Sequence, residues 1–170
     1  MNNLAKNKTF INIAGPLVIA MFFIADRYLK NLALNLNNLE KYQILGSILE
    51  FRLVFNPYIA FSLPLSGIIL NILIFSLILA LLYLIIYSII KQKLNLINIY
   101  LLTFILFGAI SNLLDRFLYG AVIDYFDLKY FTIFNLADLM ISLGILLFFI
   151  NQKKAHGSSD KMFVPRNGNN

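Results

Sequence analysis

Four long stretches of this chain carry no charged side chain, and they decide what it can fold into. The first runs from Thr9 to Ala25, the second from Asn56 to Ile90, the third from Leu94 up to Asp115, and the fourth from Leu139 to Gln152. About 20 apolar residues in a helix cross the hydrocarbon core of a bilayer, and a helix satisfies every backbone group internally. The pattern therefore predicts an all-α polytopic membrane protein with four transmembrane helices. A soluble core cannot absorb these stretches: 60% of the 170 residues are hydrophobic and 13% are charged, against roughly a quarter charged in a soluble domain. The first stretch ends in IADRYLK, which lacks the small-residue cleavage pattern of a signal peptide, and it reads as a retained helix.

The formal charge of +6 is segregated. Lys6 and Lys8 precede the first stretch, Lys91 and Lys93 separate the second from the third, and Lys153, Lys154, Lys161 and Arg166 follow the fourth; one acid, Asp160, accompanies these eight bases. The opposite side holds six basic and seven acidic residues. Such a bias places both termini in the cytoplasm and both long connections outside. It also accounts for the basic balance without nucleic acid as a partner. The chain has no cysteine, which removes disulfides and a thiol nucleophile. One membrane domain is expected over residues 1–152 and a polar cytoplasmic tail over 153–170, since HGSSDKMFVPRNGNN has too little apolar content to fold alone.

Helices are expected over about Phe10–Leu32, Leu65–Ile90, Asn98–Phe117 and Asn135–Ile150. The second has few polar interruptions and reads as scaffold. The connection 33–63 has β-strand character. There Leu49, Phe51, Leu53 and Phe55 alternate with Glu50, Arg52 and Asn56, a period of two that marks a half-buried strand. A small extracytoplasmic β-sheet with short outer loops completes the expected architecture.

Polar residues converge where the third helix ends and the fourth begins. Asn112, Asp115 and Arg116 share a face by their spacing, and Asn135 and Asp138 sit three apart on a first turn. Asp124 lies between them in GAVIDYF. A carboxylate facing lipid costs several kcal/mol, so its default meaning is a site facing protein or water. Gly108, Ala109 and Ser111 permit close helix approach near this level, and Gly144 further along. Asp26 and Lys30 share a helical face, Arg27 reads as an interfacial anchor, Arg116 is expected to neutralise Asp115, and Asp127 beside Lys129 reads as a solvated loop charge.

Three readings of Asp124 and Asp138 compete on these residues alone. They are structural acids satisfied by Lys129 and backbone amides, or members of a proton or cation pathway, or a catalytic pair. No polar track leads to the cytoplasmic side, which disfavours conduction. As a pair they suit hydrolysis: neighbouring carboxylates share one proton, the ionised one activates water, and the protonated one polarises a carbonyl. A metal finds little support, because His156 is the one histidine and stands in the tail, and no H-E-x-x-H occurs. Ser62 and Ser111 have no evident base.

The segments DRYLK, NPYIAF, GAISNLLDR, GAVIDYF and FNLAD follow one another in that order from position 26 to position 138, within the span 26–144. In them the chain resembles the bacterial prolipoprotein signal peptidases, or signal peptidase II. The resemblance implies an aspartic endopeptidase of the inner membrane, with Asp124 and Asp138 catalytic. Asn56, Asn112, Asp115, Arg116 and Asn135 would line or brace the site, and Asp26 and Lys30 would support the fold. Its substrates would be diacylglyceryl-modified prolipoproteins, cleaved just before the lipidated cysteine, with membrane lipid as the other partner, no cofactor and no metal. The chain is expected to be a monomer with its site toward the extracytoplasmic face. It departs from the family's usual N-x-G-x-A-F pattern, having Pro57 and Tyr58 after Asn56, and Ser111 stands where glycine is usual.

Overall fold

The computed structural model describes residues 2–37, 40–58 and 67–160. In chain order the elements are α1 (Asn2–Leu34), β1 (Lys41–Leu45), β2 (Leu49–Asn56), α2 (Gly67–Ile90), α3 (Leu96–Tyr119), β3 (Val122–Leu128), β4 (Thr132–Phe134) and α4 (Leu136–Asp160). Three helical segments are long and apolar enough to cross a membrane: Gly67–Ile90, Leu96–Tyr119 and Leu136–Lys153. Residues 161–170 of the expected tail and the start of the expected second helix lie outside the described residues.

α3 is the central post, packing against α1, α2 and α4. Of α2 only Leu70, Ile78, Ile85 and Ser88 are buried. The three apolar members recur every seven or eight residues and form one seam, where Ile78 and Ile85 meet Leu102, Leu106 and Leu113 of α3. The rest of α2 turns its Ile and Leu side chains outward, an arrangement stable in lipid and costly in water. On the opposite side of α3, Phe22 and Phe23 of α1 pack edge-on against Phe104 and Phe107. Gly108 brings α3 close to α4, since a Cβ there would stand 2.7 Å from the Ala137 carbonyl oxygen.

The strands form one antiparallel sheet in the order β1-β2-β3-β4. β2 covers the residues expected from the alternating pattern. A bulge between Phe51 and Val54 shifts its phase, however, so that Phe51 pairs with Phe126 while Val54 pairs with Asp124. Phe55, expected on the apolar face, is consequently exposed, and Asn56 comes round to the face of Asp124. β3 and β4 carry no alternation that would announce them. Val122, Ile123, Asp124 and Tyr125 are all buried, so both faces of β3 are covered. The sheet rests on the end of α1, where Ala33, Ile123 and Tyr125 form a core with Leu29, Phe51, Leu53 and Leu136 around it.

Candidate active site

The first turn of α4 organises the site. Its leading N–H groups have no intrahelical partner, and each is taken by a side chain. Leu136 N–H donates to the Tyr125 hydroxyl (2.9 Å), Ala137 N–H to Asp26 (3.1 Å) and Asp138 N–H to Asn135 Oδ1 (2.8 Å). Asp138 Oδ2 in turn accepts from Asn135 N–H at 3.3 Å. Asn135 and Asp138 thus form a reciprocal capping box, and their separation of three is what that motif requires. The cap fixes the Asp138 carboxylate at the positive end of the helix.

Asn135 also ties this helix to the sheet. Its Nδ2 donates to Asp124 Oδ1 at 2.7 Å, and lies 3.2 Å from Asn112 Oδ1. Asn56 Nδ2 donates to the other Asp124 oxygen at 2.9 Å, and Asn112 Nδ2 donates to Asp138 Oδ1 at 2.8 Å. Amides of β2, α3 and the α4 cap therefore hold the two carboxylates around one linked set of side chains. Burial pushes the Asp124 carboxyl up to about 7, the negative charge of Asp138 adds to the effect, and the Asn56 and Asn135 amides oppose it. Near neutral pH Asp124 is poised between its protonated and ionised forms.

Behind the amides lies a buried ionic brace. Lys30 is fully buried and reaches Asp115 at 2.6 Å, Asp26 at 2.9 Å and Asn112 Oδ1 at 2.9 Å. Arg27 is the second partner of Asp115. Asp26 further accepts from Ser111 Oγ (2.6 Å) and the Tyr125 hydroxyl (2.9 Å). Burial beside Asp26 keeps the Tyr125 phenol protonated. Within this brace the charged groups are paired, as buried charges require.

Four expectations for charged side chains are corrected. Arg116 does not neutralise Asp115, because consecutive side chains on a helix diverge by about 100°. It donates instead to the carbonyls of Tyr58 (3.0 Å) and Asn112 (3.3 Å), leaving its buried Nε without a partner. Arg27 is not a free interfacial anchor, since its guanidinium turns inward to Asp115 and Ser111. Asp127 is no solvated loop charge: it lies on β3 and pairs with Arg52 of β2 at 2.7 Å. Lys129 serves neither carboxylate, and stands over the Tyr130 ring, 5.1 Å from its centroid. Sequence reasoning missed the bracing roles of Ser111 and Tyr125, whose partners come from distant segments.

Next to the amides an open cleft of about 330 Å³ runs between α2, α3 and α4. Its walls are Ile74, Leu77, Ile78, Leu81, Ile105, Ala109 and Ile141, and its polar lining is Asn112, Arg116 and Asp138. An apolar trough with a few convergent polar groups suits a ligand that is mostly hydrocarbon with one polar linkage. Among the described residues no three His, Cys, Asp or Glu side chains gather where they could hold a metal ion.

Apolar helices of crossing length, with Asp138 lining the cleft between them and Asp124 held by the same linked amides, mark a membrane protein with two carboxylates joined through one set of side chains. A family model for signal peptidase (SPase) II matches residues 18–153, and the chain belongs to that family. It is 38% identical over 121 residues to the lipoprotein signal peptidase of Helicobacter acinonychis (strain Sheeba), covering 67% of this chain and 73% of that one. It is 37% identical over 131 residues to the lipoprotein signal peptidase of Caldicellulosiruptor bescii, covering 77% and 85%. Two solved bacterial membrane enzymes share the fold. One has a TM-score of 0.75 at 23% identity over 92% of this chain and 94% of its own. The other has 0.68 at 26% identity over 82% and 92%.

Proposed function

We propose that the protein is an intramembrane aspartic endopeptidase that removes the signal peptide from diacylglyceryl-modified bacterial prolipoproteins. The bond cleaved is the amide just before the lipidated cysteine. One observation supports the reading: the amides of Asn56, Asn112 and Asn135 hold Asp124 and Asp138 in one linked set of side chains, with Asp138 lining an apolar cleft. Substrate acyl chains and the apolar signal segment lie along the cleft walls, so binding of the tails positions the amide without extracting it from lipid.

In this mechanism the shared proton is assigned to Asp124. Asp138, ionised at the helix N-terminus, takes a proton from a water between the two acids. The hydroxide so formed attacks the scissile carbonyl as Asp124 donates its proton to the carbonyl oxygen. On collapse of the tetrahedral intermediate Asp138 returns its proton to the leaving nitrogen. The second hydroxyl restores the proton of Asp124, and both acids regain their starting forms. Asn112, Asn135 and Asn56 orient the carboxylates, and Arg116 lines the substrate's path. Asp115, Asp26 and Lys30 hold the frame. The mechanism uses no cofactor and no metal.

The membrane arrangement belongs to the same proposal. α1 supplies a fourth crossing, both termini are cytoplasmic, and the sheet and acid pair lie at the extracytoplasmic face of the inner membrane. Residues 1–152 act as one monomeric domain with 153–170 as its tail. The test is cleavage of a precursor by purified protein, with and without diacylglycerol on its cysteine, and with EDTA present. Cleavage that depends on the lipid and resists EDTA is expected. Absence of cleavage, together with proton or cation flux in sealed liposomes, would favour the transport alternative.

A further inference from the structure

The sheet has a second end, away from the acids, and its chemistry is different. β2 and β3 run from the Asn56–Val122 pair at the site to the Leu49–Leu128 pair, six residues along β3 and about 20 Å away at strand spacing. Beyond that pair the β1–β2 and β3–β4 turns project together, joined by a hydrogen bond from Lys129 N–H to the Ile48 carbonyl at 2.9 Å. They gather Leu45, Ile48, Tyr130 and Phe131 at one tip. The exposures of these residues are 62%, 55%, 95% and 75%. Four large apolar side chains bared together ask for a partner, whereas scattered ones would not.

Two details indicate what the partner is. Tyr130 has φ 68°, a left-handed conformation that glycine or asparagine would adopt at less cost. The position carries a strained aromatic where the turn alone would favour a small residue. Lys129 stands over that ring, and no acid pairs with it among the described residues, whereas Lys41 and Arg52 of the same sheet pair with Glu50 and Asp127. An aromatic ring beside a basic group is the side-chain chemistry of the membrane–water interface. The sheet is also continuous with the apolar belt: β3 starts just after α3 ends, and Phe117, Leu118 and Tyr119 of that last turn are exposed.

We infer that this tip is a second membrane anchor, in which Tyr130, Phe131, Leu45 and Ile48 sink into the headgroup–acyl boundary of the leaflet bordering the site. Lys129 remains at the level of the lipid phosphates. Held at both ends, the sheet keeps a fixed tilt, and with it the level of Asn56 and Asp124 relative to the cleft. The inference rests on the membrane placement proposed above, but not on the cleavage chemistry.

The chain has no native cysteine, so Tyr130→Cys and, separately, Ile48→Cys can each carry a single nitroxide label. Each labelled full-length protein is placed in nanodiscs of phosphatidylethanolamine and phosphatidylglycerol, and collisions with oxygen and with a water-soluble nickel chelate are compared. Both labels are expected to meet oxygen more than nickel, as an interfacial lipid site does. Nickel accessibility equal to that of a freely solvated label at both positions would overturn the anchor and leave the tip for a protein partner. A Leu79→Cys label in α2 separates the two failures. If Leu79 is lipid-buried while the tip is wet, this inference alone falls. If Leu79 is wet, the membrane placement falls with it.

Discussion

Asp124 sits at about 7 chiefly because β3 buries it and secondly because Asp138 is near, against an ordinary value of 3.8. On the proposed mechanism its proton is needed, so the cleavage rate should decline as pH rises through about 7; a rate still climbing at pH 9 would contradict the assignment. Stability follows the same group with a definite sign. The folded chain holds the proton more tightly than the unfolded one, so ionisation costs the fold nothing below about 4 and progressively more toward 7. Asp124→Asn should therefore match the wild type in thermal stability at pH 4 and exceed it at pH 8, read as unfolding temperature in detergent. The two acids are legible in sequence because a carboxylate amid so much apolar residue demands an explanation. Their partners are less so. The Asn135–Asp138 box can be read from its spacing, whereas the pairing of Asp115 with Lys30 and Arg27 joins helices far apart in the chain.

At the scale of elements, the buried brace makes Lys30 and Arg116 behave differently, although both stand near Asp115 in the site. Among the described residues, Lys30→Met leaves Asp26 without a cation and Asp115 with Arg27 alone, and breaking a buried ion pair costs about 3–5 kcal/mol. A large fall in unfolding temperature and in folded yield is expected. Arg116→Ala removes hydrogen bonds to two carbonyls but breaks no direct ion pair among the described residues. Its unfolding temperature should move far less than that of Lys30→Met, while cleavage falls. Equal thermal losses in the two variants would show that the brace is wrongly drawn. β2 is visible in the sequence by its alternation, but its bulge is not, and the bulge is what delivers Asn56 to Asp124. β3 escapes notice because burial on both faces erases the period of two. Strand pairing between distant segments decides that burial, and local pattern carries no record of it.

For the whole molecule, the charge-free stretches foretell the apolar helices, because bilayer thickness ties hydrophobic length to structure. The order of packing is not encoded so directly. That α3 stands at the centre follows from which helix carries small residues and polar side chains on several faces, and Gly108, Ser111 and Asn112 sit in that helix. Widening one such contact should act at a distance. Gly108→Leu would press on the Ala137 carbonyl at the start of α4, moving the capping box and Asp138 with it. Cleavage should fall by tenfold or more even where the variant still folds in detergent, on the order of the loss from a 1 Å misplacement of reacting groups. Unchanged turnover would mean that helix spacing does not set the site.

The most direct test of the acid pair is single-turnover cleavage of a diacylglyceryl-modified precursor by Asp124→Asn and Asp138→Asn, each confirmed as folded by its unfolding transition. The account predicts that both variants bind the precursor and neither releases the signal peptide at a measurable rate. Turnover near the wild-type rate by either variant would contradict it.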